Sequence, residues 1–193
     1  MGKVKEFQEL LNNFSWRIIP QSAFGLPSVA ETGLTFVENA LIKARYATEH
    51  TGLAALADDS GLVVDALHGA PGIYSARYAG ENATEEQHIA KLLHELREIP
   101  EDKRTAHFHC ALVYMRYPAD PSPIIAQGIW EGRILNSPVG KKGFGYDPVF
   151  YLSEFHCSAA ELTVEIKNKI SHRGQALIKL MQELASANIN FSK

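Results

Sequence analysis

Leu53-Ala54-Ala55-Leu56-Ala57-Asp58-Asp59-Ser60-Gly61-Leu62-Val63-Val64 is the stretch on which the reading of this chain turns. One apolar run leads into two adjacent carboxylates and a second apolar run follows them. Short apolar runs bounded by turn formers predict two strands, near Leu53 to Ala57 and Leu62 to Leu67, on either side of an acidic turn. Adjacent carboxylates at the end of an apolar strand repel, and burial raises the penalty. A divalent cation would remove it. Hard oxygen ligands of this kind suit Mg²⁺, which is usually held by one or two carboxylates while substrate phosphates supply the rest. Taken alone, the stretch favours a solvated Asp-Asp-Ser-Gly turn, since all three residue types are turn formers. The rest of the sequence reverses that preference.

Working outward, Thr35-Phe36-Val37-Glu38 has the pattern of a capping box and predicts a helix to about His50, stopped at Thr51-Gly52. Thr84-Glu85-Glu86-Gln87 repeats the pattern ahead of Ile89, Leu92, Leu93 and Leu96, which share one helix face. Ala106 to Tyr117 and Ile124 to Ile134 read as two long strands joined by the proline-rich segment 118–123, a long antiparallel hairpin. Asn136 to Asp147 is a glycine-rich loop and Pro148 to Leu152 a short strand. Ser171 caps a last helix carrying Ala176, Leu177, Leu180, Met181 and Leu184. Val4, Phe7, Leu10, Leu11 and Phe14 predict an N-terminal amphipathic helix, with a short strand near Trp16 to Ile19 and a loop from Pro20 to Ala30. The expected class is α/β: one domain, 1–193, with a mixed, elongated β-sheet flanked by helices and two lobes around a central cleft.

Composition narrows the partners. The chain has 193 residues, 46% hydrophobic and 21% charged, which suffices for one sizeable core. A formal net charge of -3 argues against a chain that binds nucleic acid or a membrane through its overall charge. No apolar run approaches the roughly 20 residues that span a bilayer. Met1-Gly2-Lys3-Val4-Lys5 lacks the apolar stretch of a signal peptide, and a cytoplasmic location is expected. Cys110 and Cys157 lie far apart and belong to no metal-ligand or redox pair, so both are expected as buried, reduced thiols. His107 and His109 share one strand face. They could form a metal pair, but with no further ligand nearby in sequence, surface or hydrogen-bonded histidines are preferred.

Three further segments carry chemistry. In Gly143-Phe144-Gly145-Tyr146-Asp147-Pro148, glycines on both sides let the backbone turn and present the Phe144 ring to a flat ligand such as a nucleobase. The same ring could instead plug a core gap beneath a loop. Lys167-Asn168-Lys169-Ile170-Ser171-His172-Arg173-Gly174-Gln175 concentrates positive charge where the last helix starts. Basic side chains are disfavoured at that end of a helix unless an anion or an acidic partner is near. Arg173 offers a rigid fork of donors for such oxygens, whereas Lys169 reads as part of a solvated turn. Glu31-Thr32-Gly33 precedes the first capped helix, and its carboxylate could be a second metal ligand or an ordinary loop residue.

In this order, segments 31–40, 57–62, 71–78, 143–148 and 171–176 resemble the inosine triphosphate pyrophosphatase family, and more closely its bacterial dITP/XTP pyrophosphatases. The likeness covers nearly the whole chain. It implies a homodimeric, Mg²⁺-dependent enzyme that cleaves aberrant purine nucleoside triphosphates (dITP, ITP, XTP) to the monophosphate and pyrophosphate. By the same resemblance, Asp59 is the general base and contacts the metal, with Glu31, and Asp58 beside it, helping to hold Mg²⁺. Lys3, Lys43, Ser60 and Lys167 face phosphate oxygens. Phe144, with Gly145 and Tyr146, forms the base-binding segment, and Asp147, His172 and Arg173 fix the edge of the base. Such chemistry needs this set, because the negative charge of a triphosphate must be screened before a nucleophile can approach.

Family members open with a strand and a Thr/Ser-x-Asn loop just ahead of the Gly-Lys pair that matches Gly2-Lys3. The chain as given starts at Met1, and that strand is expected to be missing. A second reading follows from this: a nucleotide-binding protein that holds the substrate but has impaired catalysis.

Overall fold

The computed structural model describes residues 17–187. The expected N-terminal helix and Lys3 lie outside the described residues. Of the short strand expected near Trp16 to Ile19, residues 17–19 are described and are not in a strand. The loop that follows contains one 3-10 turn, Gln21–Phe24.

Among the described residues five strands form one sheet in the order β1 (Ala55–Val64), β2 (Thr105–Met115), β3 (Ile124–Ile134), β4 (Phe150–Leu152) and β5 (Cys157–Ser158), with every pairing antiparallel. The acidic stretch is not a turn between two strands. It lies inside β1, where Asp58, Asp59 and Ser60 pair with Leu112, Ala111 and Cys110. The chain can stay extended there because neighbouring residues of a strand point to opposite faces, so the two carboxylates are separated by the pleat. Residues 65–67, expected to extend the second strand, form a 3-10 turn. The long hairpin of β2 and β3 forms as its β-rich sequence and proline-rich turn predict.

The pleat also decides what each face carries. Helix α1 (Phe36–Thr51) packs Ala40 and Ala44 against Ala111, Val113 and Met115 of β2. The alternate residues Cys110, Leu112 and Tyr114 face α4 (His172–Ser186) through Ala176, Leu177, Leu180 and Leu184. Farther along, α2 (Glu85–Glu95) adds Ile89 and Leu92 to a cluster with Leu62, Phe108, Trp130 and Phe150. The helix starts are set by their caps. Thr35 Oγ1 accepts the Glu38 N–H at 3.2 Å, and Glu38 reaches back to the Leu34 N–H rather than closing the box on Thr35. Thr84 and Gln87 close the full reciprocal box. Ser171 caps α4 by accepting the Gly174 N–H at 3.2 Å. A short helix, α3 (Val164–Ile170), precedes α4, so Lys167 sits in the last turn of α3 and not at the start of α4. Cys110 is buried, whereas Cys157, expected to be buried as well, is partly exposed, and neither is in a disulfide.

Candidate active site

Asp59 points to the α1 side of β1 and is only 7% exposed. Lys43, one turn beyond Asn39 on the inner face of α1, places Nζ 2.7 Å from Asp59 Oδ1 and 3.0 Å from Glu31 Oε1. Arg77 holds the other Glu31 oxygen at 3.1 Å. Asn39 Nδ2 donates to Asp59 Oδ2 at 3.3 Å. The result is two carboxylates joined by one ammonium. Burial lifts the Asp59 carboxyl above its ordinary range; Lys43 pulls it back without cancelling the rise, and the Glu31 charge adds to it. Burial also acts to raise Glu31, but there its contacts with Lys43 and Arg77 win and hold it below the ordinary range. For Lys43, burial works against its charge, and the two carboxylates outweigh burial and keep its pKa raised. A carboxylate made more basic beside a cation is suited to taking a proton.

Asp58 faces the other way. Arg173 Nη2 lies 3.3 Å from Asp58 Oδ2, and the Ser60 hydroxyl donates to the same oxygen at 3.2 Å. Arg173 sits in the first turn of α4, and Asp58 is the acidic partner a basic residue needs at that end of a helix. Beyond it lies Phe144, 43% exposed, with the Arg173 guanidinium 6.0 Å and Lys167 Nζ 4.6 Å from the ring centre. Asp147 Oδ2 accepts the Phe144 N–H at 2.8 Å and pairs with Lys167. Gly143 has φ +79°, and any side chain there would collide with the Asp147 carboxylate. The Tyr146 hydroxyl donates to the Ser75 carbonyl at 2.9 Å, tying this loop to the 3-10 segment Gly72–Arg77. Gly145, with φ +61°, lets the loop turn between Phe144 and Tyr146. His172 is stacked on Phe108 at 4.9 Å between ring centres.

The residues singled out from sequence therefore fall into two groups on opposite faces of β1. Asp59, Lys43 and Glu31 come together on one side. Asp58, Ser60, Arg173, Phe144, Asp147 and Lys167 gather on the other. Asp58 does not join Glu31, and Lys167 is engaged with Asp147 and the Phe144 ring.

The Ham1 family profile matches residues 1–183. The chain belongs to the Ham1 family. Over 186 residues it is 55% identical to a dITP/XTP pyrophosphatase of Photorhabdus laumondii, covering 96% of this chain and 94% of the relative. A dITP/XTP pyrophosphatase of Salmonella paratyphi A is 56% identical over 183 residues, 95% of this chain and 93% of the relative. The solved structure of a HAM1 protein from Coxiella burnetii superposes with a TM-score of 0.91 at 51% identity, covering 96% of this chain and 94% of that one.

Two residues of this Ham1 chain with direct access to the acidic group were not singled out from sequence. Asn39 had a signal: a polar residue one helical turn before Lys43, on the face of α1 that otherwise carries Phe36, Ala40 and Ala44 into the core. Arg77 had none, because nothing local says that it reaches back to Glu31. Among the described residues no three His, Cys, Asp or Glu side chains are grouped to hold a metal, and the two carboxylates brought together are Glu31 and Asp59, which share Lys43. His107 and His109 do not change this, since His109 meets Gln127 at 2.9 Å and stacks on Phe36. A groove of about 740 Å³ lies near Phe36, Ile73, Tyr74, His109 and Gln127, lined mainly by apolar surface and by none of the residues of the two groups.

Proposed function

We propose that this Ham1-family enzyme hydrolyses dITP, ITP and XTP to the nucleoside monophosphate and pyrophosphate, keeping deaminated purines out of the nucleotide pool. The observation that carries the reading is the pairing of a buried carboxylate–lysine–carboxylate group at Asp59 with an arginine–aromatic group at Arg173 and Phe144, on neighbouring residues of one strand. Both groups hang on successive residues of β1, so one extended nucleotide can reach both.

Asp59 acts as the base. It takes a proton from water as the water oxygen bonds to the α-phosphorus; the α–β phosphoanhydride bond breaks and its electron pair leaves on pyrophosphate. Lys43 turns its ammonium to phosphate oxygens. Glu31 and Asp59 fit a divalent cation, because a cationic nitrogen already sits between one oxygen of each and both are hard donors. Bound there, Mg²⁺ would screen the phosphates and lower the pKa of water. Ser60 adds a hydroxyl for phosphate on the Asp58 side.

Phe144 stacks on the base and Arg173 donates to the 6-oxo group of hypoxanthine or xanthine. Adenine presents an N6 amine there, and two facing donors would stay unpaired, at about 1–3 kcal/mol for each buried group. Asp58 aims Arg173, while Asp147, Lys167, Tyr146 and His172 hold Phe144 and the first turn of α4 in place. A homodimer is supported by the apolar groove at Ile73 and Tyr74, the latter 54% exposed. The enzyme works in the cytoplasm, where free nucleotides are polymerised. Among the described residues no helix is long and apolar enough to cross a membrane.

The test is product analysis with Mg²⁺ and ITP, dITP or XTP. The reading expects monophosphate and pyrophosphate in equal amounts, and much slower reaction with ATP or GTP. Release of single orthophosphates, or binding of ITP without turnover, would contradict it.

A further inference from the structure

We propose that Asn39 is a positioning residue that aims the Asp59 carboxylate and locks it to the loop carrying Glu31. The inference rests on Asp59 being the base, as set out above.

Asn39 is fully buried in the first turns of α1. A buried side-chain amide has one acceptor and two donors, and its orientation follows from what surrounds it. Asn39 Oδ1 accepts the Gly33 N–H at 2.8 Å, which leaves Nδ2 facing Asp59 Oδ2 at 3.3 Å. The reverse orientation would set an N–H against the Gly33 N–H and a carbonyl against a carboxylate. Gly33 makes the contact possible: a Cβ there would stand 2.8 Å from Asn39 Oδ1 and 2.6 Å from Glu38 Cβ.

The two donors to Asp59 differ in kind. Lys43 is long, and its ammonium is shared between Asp59 Oδ1 and Glu31 Oε1. It is free to turn when a phosphate or a cation arrives. Asn39 is short and neutral, and both ends of its amide are engaged. It takes the outer oxygen of Asp59, as Arg77 takes the outer oxygen of Glu31. The inner oxygens, both now on Lys43, are thereby left facing a common point. Because Gly33 is two residues from Glu31, one amide fixes the distance between the two carboxylates that the chemistry needs.

The test compares the full-length wild type with Asn39→Ala, Asn39→Asp and the exchanged pair Asn39→Asp/Asp59→Asn. Wild-type turnover of ITP is measured first, and its absence would remove the proposed function itself. Given turnover, Asn39→Ala should lower kcat by about ten- to hundredfold and weaken binding of Mn²⁺ to the free enzyme, read by electron paramagnetic resonance, by about tenfold, as loss of a partner to a metal-binding carboxylate does. KM for ITP should stay within about threefold, since the base-binding group lies on the other face of β1. Asn39→Asp sets two carboxylates against each other and should lower Tm; adding Asp59→Asn restores a donor–acceptor pair and should recover Tm without recovering activity. Unchanged kcat and Mn²⁺ affinity in Asn39→Ala, even with a lower Tm, would overturn the inference and leave Asn39 purely structural. Should Asn39→Ala fail to fold, the exchanged pair decides: no recovery of Tm over Asn39→Asp would overturn the proposed contact.

Discussion

Asp58 and Asp59 are neighbours in the chain, yet they belong to different chemical settings. Asp59 is held by Lys43 and Asn39 from α1, beside Glu31. Asp58 is held by Arg173 from α4 and by Ser60 on its own strand. The difference shows how an extended strand can carry two acids in sequence without a large penalty. The pleat sends them apart, and each meets its own cation. Burial still disfavours the charge on Asp59, which Lys43 offsets only in part. On the functional reading, one residue step along β1 separates the group that breaks the phosphoanhydride bond from the group that recognises the base.

The predictions test that separation, beginning with the largest effect. Asp59→Asn should lower kcat for ITP by about 10²–10⁴-fold, the range lost with a general base, with ITP affinity retained by equilibrium binding. A variant turning over at near-normal rate would remove Asp59 as the base. On the opposite face, Phe144→Ala should raise KM for ITP by about tenfold, in line with roughly 1–3 kcal/mol for a base stacked on an aromatic ring. Equal KM values would move the base away from Phe144.

A third prediction concerns charge on the Asp59 side alone. In the metal-free enzyme, carboxyl ¹³C NMR should show Asp59 titrating above its ordinary 3.8 and Glu31 below its ordinary 4.5. Lys43 favours the ionised form of both, so Lys43→Met should move both upward. Glu31 thus contributes stability that is present above its unfolded pKa and is lost as pH falls through its lower folded one. Asp59 has the opposite sign: its ionised form is disfavoured in the fold, and it stabilises less as pH rises past its ordinary range. Asp59 titrating below its ordinary 3.8, or Glu31 above its ordinary 4.5, would contradict the assignment of burial to one and ion pairing to the other. The smallest effect is expected at the support. Thr35→Ala removes the cap of α1 and should cost about 1 kcal/mol of stability in denaturant melts.

Much of the fold was legible in the sequence, because hydrophobic period and cap chemistry are local. Thr35 and Gly52 bound α1 as their residue types suggest, and Ser171 starts α4. The long hairpin followed from two β-rich runs around a proline-rich turn. What misled was the Asp-Asp-Ser-Gly stretch, whose turn propensity was overridden by pairing with β2. Propensity for a turn is a weak prior where the chain is paired residue by residue with a neighbouring strand. The candidate site was legible as a set of residues and not as an arrangement. The resemblance put Asp59 with Glu31 but named Lys43 only for phosphate, and that its ammonium joins the two carboxylates was not read from the sequence. It could not say that Asp58 turns to Arg173, since that contact joins residues 115 positions apart. Lys167 shows the same limit: its charge was plain, but its engagement with Asp147 depends on how a loop and a short helix meet. Arg77 reaches Glu31 across 46 positions, which no local pattern announces.

The most direct test of the division across β1 is the affinity of metal-free Asp58→Asn and Asp59→Asn for ITP and ATP by titration calorimetry. Asp59→Asn should keep the wild-type preference for ITP, while Asp58→Asn, with Arg173 no longer aimed, should narrow that preference by about tenfold. The account would be contradicted if Asp59→Asn lost the preference and Asp58→Asn kept it.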